Sequence, residues 1–298
     1  MTAPAPAAGG GGSPLSPDAA AQLAARYGLE RGGVRPPLGR YIKETWAQRR
    51  FLWTLSSAQS YARNQDNYLG QLWGVLNPLL LAAAYFLIFG QLLGLDEGVD
   101  NYVGFLVIGL LVFMYSAGTM TSASKAISGN LSLVRSLRFP RAVLPLSVTL
   151  TEFIAFLPSV AVILVLVLVT GEPITVHWLL FPVAMGLIVA INAGIALIVA
   201  RIVHSSRDLR NLITLVVRLL RYVSGVFFSI TTFAGHGLVG TVMLYQPFAV
   251  ILDIVRQSLL SDTPFNATTW YVAAGWAVIL PLVGFIFFWR AEATYGRN

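Results

Sequence analysis

Six runs of apolar residues, at roughly 72–93, 102–123, 143–169, 177–200, 212–232 and 270–289, alternate with polar segments along this chain. Each is about the 20 residues that a helix needs to cross a hydrocarbon core. Soluble helices rarely stay apolar on every side for that length, so the pattern predicts an all-α membrane protein with six transmembrane helices. An even number of spans puts both termini on one side. Of the twenty Lys and Arg residues, eight precede the first run, four lie at 124–142, five at 201–221 and two from 290 onward, while 94–101 and 170–176 have none. Arg256 is the single exception, and the positive-inside rule then places both termini in the cytoplasm. Carboxylates gather in the opposite loops, at Asp96, Glu97, Asp100, Glu172, Asp253 and Asp262.

The net charge of +7 sits in a chain that is 56% hydrophobic, so it reads as an orientation signal and a contact with anionic lipid headgroups, not as a nucleic-acid footprint. The absence of cysteine excludes disulfides, thiolate nucleophiles and Cys-based metal sites. His177, His204 and His236 fall in three separate segments with no spacing that would share a metal, so neither a metal site nor a catalytic constellation is expected. The four-glycine run at 9–12 has no strand before it, and the chain contains no G-x-x-x-x-G-K-[ST] phosphate loop. If ATP drives this protein, another polypeptide must bind it.

Residues 1–38 lack the basic flank and apolar stretch of a signal peptide and are expected to form a disordered cytoplasmic tail. Residues 39–66 mix Arg and Lys with Trp46, Phe51, Trp53 and Tyr61, which predicts an amphipathic helix lying in the membrane interface. The membrane domain follows at 67–290, and 291–298 form a short cytoplasmic tail. Asn77-Pro78, Pro158 and Pro281 predict bends within spans. After the second span, Ile127, Leu131, Val134, Leu137 and Phe139 recur at helical spacing, giving a short cytoplasmic amphipathic helix ended by Pro140. The stretch MLYQPFAVILDIVRQSLL at 243–260 is too short and too charged to cross, and reads as part of a re-entrant or interfacial helical pair on the outer side. Within it, Asp253 and Arg256 are three apart and are expected to pair on one face. Glu152 is the only carboxylate deep inside a span, with Arg218 and Arg221 as candidate partners.

Two other classes fit less well. A membrane glycosyltransferase would draw on Asp96, Glu97 and Asp100, but the loop that holds them is about eight residues long, too short for a pocket of the usual size. A secondary transporter would show inverted halves with matched polar groups at the midplane. The two halves of this chain do not correspond, and Glu152 has no counterpart in the second.

Four stretches together resemble the transmembrane subunits of ABC-2 type exporters, particularly the polysaccharide and O-antigen exporter permeases: NYLGQLWGVLNP at 67–78, LVRSLRFPRAVLPL at 133–146, RDLRNLITLVVRLLRYVSGVFFSI at 207–230 and YQPFAVILDIVRQSLL at 245–260. The resemblance covers residues from about 40 to 290. The L-G-x-L-W-x-x-x-x-P and F-P-R-x-x-L-P elements favour the glycan branch over drug exporters. The resemblance implies a homodimer in a bacterial inner membrane, bound to two copies of a soluble ATPase that supplies ATP and Mg, with no cofactor in this chain. It makes 127–139 the coupling helix, with Ile127, Leu131, Arg135, Arg138 and Phe139 toward the ATPase, and Arg207 and Asp208 a second contact. It makes 39–66 an interface helix beside a lateral entrance, and 236–262, with Asp253 and Arg256, the outer gate. The cargo it implies is a lipid-linked glycan, for which Tyr85, Phe86, Phe89, Phe113, Tyr115, Phe227 and Phe228 are available as an aromatic lining. A galactan fits these motifs, and so does a teichoic-acid or O-antigen-like cargo.

Overall fold

The computed structural model describes residues 36–62, 72–92, 100–137, 139–206, 208–233 and 237–295, with four isolated positions before residue 36. Among the described residues all regular structure is helical. The proposed tail at 1–38, the segment 63–71, Asp96, Glu97, Arg138, Arg207 and His236 lie wholly or largely outside them.

Helices α1 (Leu38–Ala47) and α2 (Arg49–Ala62) take the place of the single interface helix expected at 39–66, with the break at Gln48. Trp46, Trp53 and Tyr61 are exposed along this pair, as aromatic anchors at a lipid surface would be. Helix α3 (Leu72–Tyr85) runs on into a π-helical segment, Phe86–Leu92, where the first span was expected, and the winding loosens at its far end. Helix α4 (Tyr102–Ala123) is the most enclosed of the long helices and forms the axis of the bundle. Asn101 starts it by accepting a 2.9 Å hydrogen bond from the Gly104 amide. A short helix, α5 (Leu131–Ser136), precedes α6 (Val143–Val169). A 3-10 turn at Val176–Leu180 leads into α7 (Phe181–Ser205), and α12 (Ala267–Trp289) closes the chain. By length and composition α4, α6, α7 with its leading turn, and α12 can each cross a membrane.

The fifth expected span needs correction. Helix α8 (Leu209–Val223) stops after 15 residues instead of continuing to 232. Gly225, with φ +68, turns the backbone into the left-handed region that ends helices, and only a four-residue turn, α9 (Ile230–Phe233), follows. Beyond it the expected helical pair is present: α10 (Leu238–Tyr245) and α11 (Pro247–Leu259) meet at Gln246 with a bend of 69°. Pro247 sits at the first position of α11, where its missing N–H is harmless.

The closest helix crossing is between α7 and α12. A side chain at Gly194 would collide with the backbone of Leu280, and one at Gly284 would come within 2.6 Å of the Gly194 carbonyl oxygen. Small residues let two backbones touch in this way, which suits a medium where van der Waals packing drives helix association. Helix α2 lies along α6, and there Ser56 is fully buried, donating to the carbonyls of Leu52 at 2.7 Å and Ser147 at 3.0 Å. One core cluster surrounds α4, α7 and α11, and a smaller one lies at the end of the bundle where Tyr41, Ile127, Phe288 and Tyr295 meet.

Candidate functional site

The basic segments assemble at one end of the bundle. The helix expected over 127–139 is shorter than its periodicity suggests: a 3-10 turn at Ser128–Asn130 precedes the six residues of α5, because Gly129 and Asn130 are poor α-formers. Ile127 and Val134 face inward and are buried, Leu131 is half-buried, and Arg135 is exposed. Phe139 is not free for a partner on all sides, since it packs edge-on against Phe51 of α2 with ring centres 5.8 Å apart. Asp208 is exposed at the foot of α8, and two residues on, Arg210 donates to the Ser128 hydroxyl at 3.0 Å. The two basic loops are thereby joined, and a cavity of about 240 Å³ opens between them, lined by Ile127, Ser128, Leu131, His204 and Arg210.

Beside this cavity is a cluster that sequence reasoning missed. The Tyr41 hydroxyl on α1 donates to Glu292 at 2.7 Å and accepts from the Ala142 amide at 3.0 Å. The Arg141 amide donates to the same carboxylate at 3.1 Å, and the Arg141 guanidinium donates to the Glu292 carbonyl and lies 3.9 Å from its carboxylate. Interface helix, loop and C-terminal segment are thus tied at a single carboxylate. Burial pushes Glu292 above the usual carboxylate range, against the opposing pull of Tyr41 and Arg141. Burial, with Glu292 adding to it, likewise holds the Tyr41 phenol well above its ordinary value. Two sequence signals were available: Arg141 is the Arg of F-P-R-x-x-L-P, and Glu292 is the lone carboxylate after the last apolar run.

At the other end Glu172 gathers three chains of backbone. It accepts from Asn101 Nδ2 at 2.9 Å and from the Ser261 amide and hydroxyl at 2.9 and 2.7 Å. Burial raises its pKa, but these hydrogen bonds to the charged form outweigh burial and leave it below the ordinary glutamate value.

The expected Asp253–Arg256 pair does not form. Asp253 accepts from Gln257, one turn along, at 2.8 Å. Arg256, only 5% exposed, points the other way and donates to the carbonyls of Phe105 at 3.1 and 3.3 Å, Gly225 at 2.9 Å and Val226 at 3.2 Å. Its guanidinium also lies over the Phe105 ring, 3.3 Å from the centroid. The chain prefers this because the turn after α8 leaves carbonyls that nothing else on the backbone satisfies. A second cavity, about 140 Å³, lies beside it and is lined by Asp253, Arg256, Asn266 and Thr269.

Three of the aromatics expected to line a path are enclosed. Phe113, Tyr115 and Phe227 are buried within one chain: Tyr115 stacks on Phe156 at 5.2 Å, Phe113 meets Phe248 at 6.2 Å, and Phe227 meets Tyr85 edge-on at 4.8 Å. Their apolar area is worth more against other side chains than along a polar path. Tyr85, Phe86 and Phe228 are half-buried, and the side chain of Phe89 lies outside the described residues. Glu152 is held by α4 and not by the candidate arginines. Ser122 donates to it at 2.6 Å, and its other oxygen would be 3.0 Å from a β-carbon at Gly118. Arg221 instead donates to the Tyr85 hydroxyl at 3.3 Å and stands over the Phe113 ring.

A bundle of long apolar helices, with basic loops joined at one end and a bent helix pair packed over a broken helix at the other, is the frame of a membrane transport domain. The model of the ABC-2 type transporter family matches residues 50–260. This chain belongs to that family. It is 27% identical over 213 residues, 72% of this chain and 81% of the relative, to the O-antigen export system permease protein RfbA of Myxococcus xanthus. It is 26% identical over 237 residues, 79% of this chain and 89% of the relative, to a protein of the same name from Klebsiella pneumoniae.

Proposed function

We propose that this chain is the permease subunit of an ATP-driven exporter that carries a lipid-linked polysaccharide, a galactan or a similar cell-envelope glycan, to the outer side of a bacterial inner membrane. The observation that carries the reading is similarity over 72% and 79% of the chain to two O-antigen export permeases, beside a family match at 50–260 that takes in the loops at 124–142 and 201–221 and the helix pair at 238–259. In this reading two copies of the chain, each with cytoplasmic termini, bind two copies of a separate ATPase that holds ATP and Mg. The basic end receives the ATPase: Arg135 and Asp208 are exposed on two segments joined by Arg210, so a push on one is felt by the other. The Tyr41–Glu292–Arg141 cluster then passes the movement from the loop to the interface helix, beside which the lipid-linked end of the cargo enters. The bent α10–α11 pair serves as the outer closure. No covalent chemistry falls to this chain.

The test is reconstitution with a partner ATPase in liposomes carrying lipid-linked saccharide. ATP hydrolysis should require the ATPase, rise when the matching saccharide is present, and accompany saccharide transfer across the bilayer. Arg135→Glu should weaken ATPase docking while leaving the membrane bundle folded. Robust hydrolysis by the chain alone, or transfer that ignores ATP, would overturn the reading.

A further inference from the structure

A helix that ends inside a membrane protein must find donors for its last carbonyls, because neither water nor lipid supplies them reliably. The Ser224 amide caps Leu220, and the break that follows α8 draws its remaining donors from side chains elsewhere. Val223 accepts from Gln246, Gly225 and Val226 from Arg256, and Phe227 from the Tyr102 hydroxyl at 2.8 Å. Two of these three donors, Gln246 and Arg256, belong to the outer helix pair: Gln246 is its bend and Arg256 sits in the last turn of α11. Arg256 also reaches Phe105 of α4, so one guanidinium holds three elements at once. A cation at the C-terminal end of α8 is favoured by that helix's dipole as well.

The space for the guanidinium is provided by α4. A β-carbon at Gly109 would collide with Arg256 Nη2 and come within 3.0 Å of the Val226 carbonyl oxygen. A glycine in the middle of a helix costs about 1 kcal/mol relative to alanine, and here it leaves room for one group. We infer that Arg256 is a positioning residue, a pin seated on Gly109 that fixes the outer helix pair onto the broken end of α8 and keeps the exporter shut at rest. The pin does not bind cargo, because its donors are turned to backbone carbonyls. To open, α11 must exchange these bonds for others.

This inference rests on the export reading, and the experiment separates the two. Hydrogen exchange is followed at residues 223–229 and 247–259 in the full chain assembled with its ATPase in nanodiscs, without nucleotide. In the unaltered chain, both segments should exchange slowly. Arg256→Gln should raise exchange in both by at least about fivefold, by lowering the cost of local opening. Gly109→Ala, which improves the helix and keeps the charge, should do the same by displacing the guanidinium, and the double variant should exceed Arg256→Gln by little. Both single variants should also leak a small sugar at rest from vesicles that hold it. Rapid exchange at 223–229 in the unaltered chain would overturn the pin on its own. So would a Gly109→Ala protein that stays as protected and as tight as the parent, or two effects that simply add. A parent complex that fails to move saccharide would instead count against the export reading, and leaves the exchange result standing.

Discussion

The two ends of this bundle solve opposite problems. At the basic end, three parts of the chain meet at one carboxylate, Glu292, which accepts from Tyr41 and from Arg141. At the other end, carbonyls left by a broken helix are gathered by one buried cation, Arg256. The first joint is made of buried side-chain hydrogen bonds around one carboxylate, whereas the second replaces main-chain bonds and cannot be dropped without a substitute.

The asymmetry can be broken by removing each arginine. Arg256→Ala strands the carbonyls of Gly225 and Val226, removes a second donor from the Phe105 carbonyl, and should lower stability by about 3 kcal/mol. Arg141→Ala leaves its own amide bound to Glu292 and removes only a guanidinium contact and a partly exposed ion pair, for about 1 kcal/mol. Unfolding midpoints of the purified chains would check the order, and equal losses would end the contrast.

A finer comparison sets the two carboxylates against each other. Desolvation is the largest influence on both, but three hydrogen bonds overcome it at Glu172 and do not at Glu292. Glu172 has a folded pKa below its unfolded one, so its contribution is present above the ordinary value of about 4.3 and is lost as pH falls through the folded pKa. Glu292 has the reverse sign: its contribution is present below the ordinary value and is lost as pH rises through the folded pKa. Relative to the parent, Glu172→Gln should therefore lose its disadvantage toward acid, and Glu292→Gln should gain ground toward neutral pH. Melting temperatures across the acid range would read both slopes, and slopes of one sign would contradict the assignment.

The sequence made the class of fold and its charged polarity readable, because apolar length and lysine and arginine placement are local properties. That 233–269 holds a helical pair was readable too, from a segment too long for a hairpin with a stretch too short and too charged to cross. Where reading failed, a long-range partner decided. The helix expected to run to 232 ends at Val223, and two residues on, at Gly225, φ turns positive and Arg256, 31 residues away, takes the carbonyl. The expected Asp253–Arg256 pair obeyed helix spacing, yet unsatisfied backbone on a neighbouring element was the stronger claim on the guanidinium. Three of the aromatic residues offered for a path, Phe113, Tyr115 and Phe227, are packed among α4 and its neighbours. Glu292 drew no attention because its partners lie 151 and 251 residues away.

The central claim is that the joined basic loops face the cytoplasm and the bent helix pair faces outward. The chain has no cysteine, so single cysteines report cleanly. Ser132→Cys on α5 and Thr268→Cys at the start of α12 are both exposed positions at opposite ends. A maleimide that cannot cross membranes, added to intact cells stripped of any outer barrier, should label Thr268→Cys at once and Ser132→Cys only after the membrane is opened. Labelling of Ser132→Cys from outside, with Thr268→Cys protected, would contradict the account.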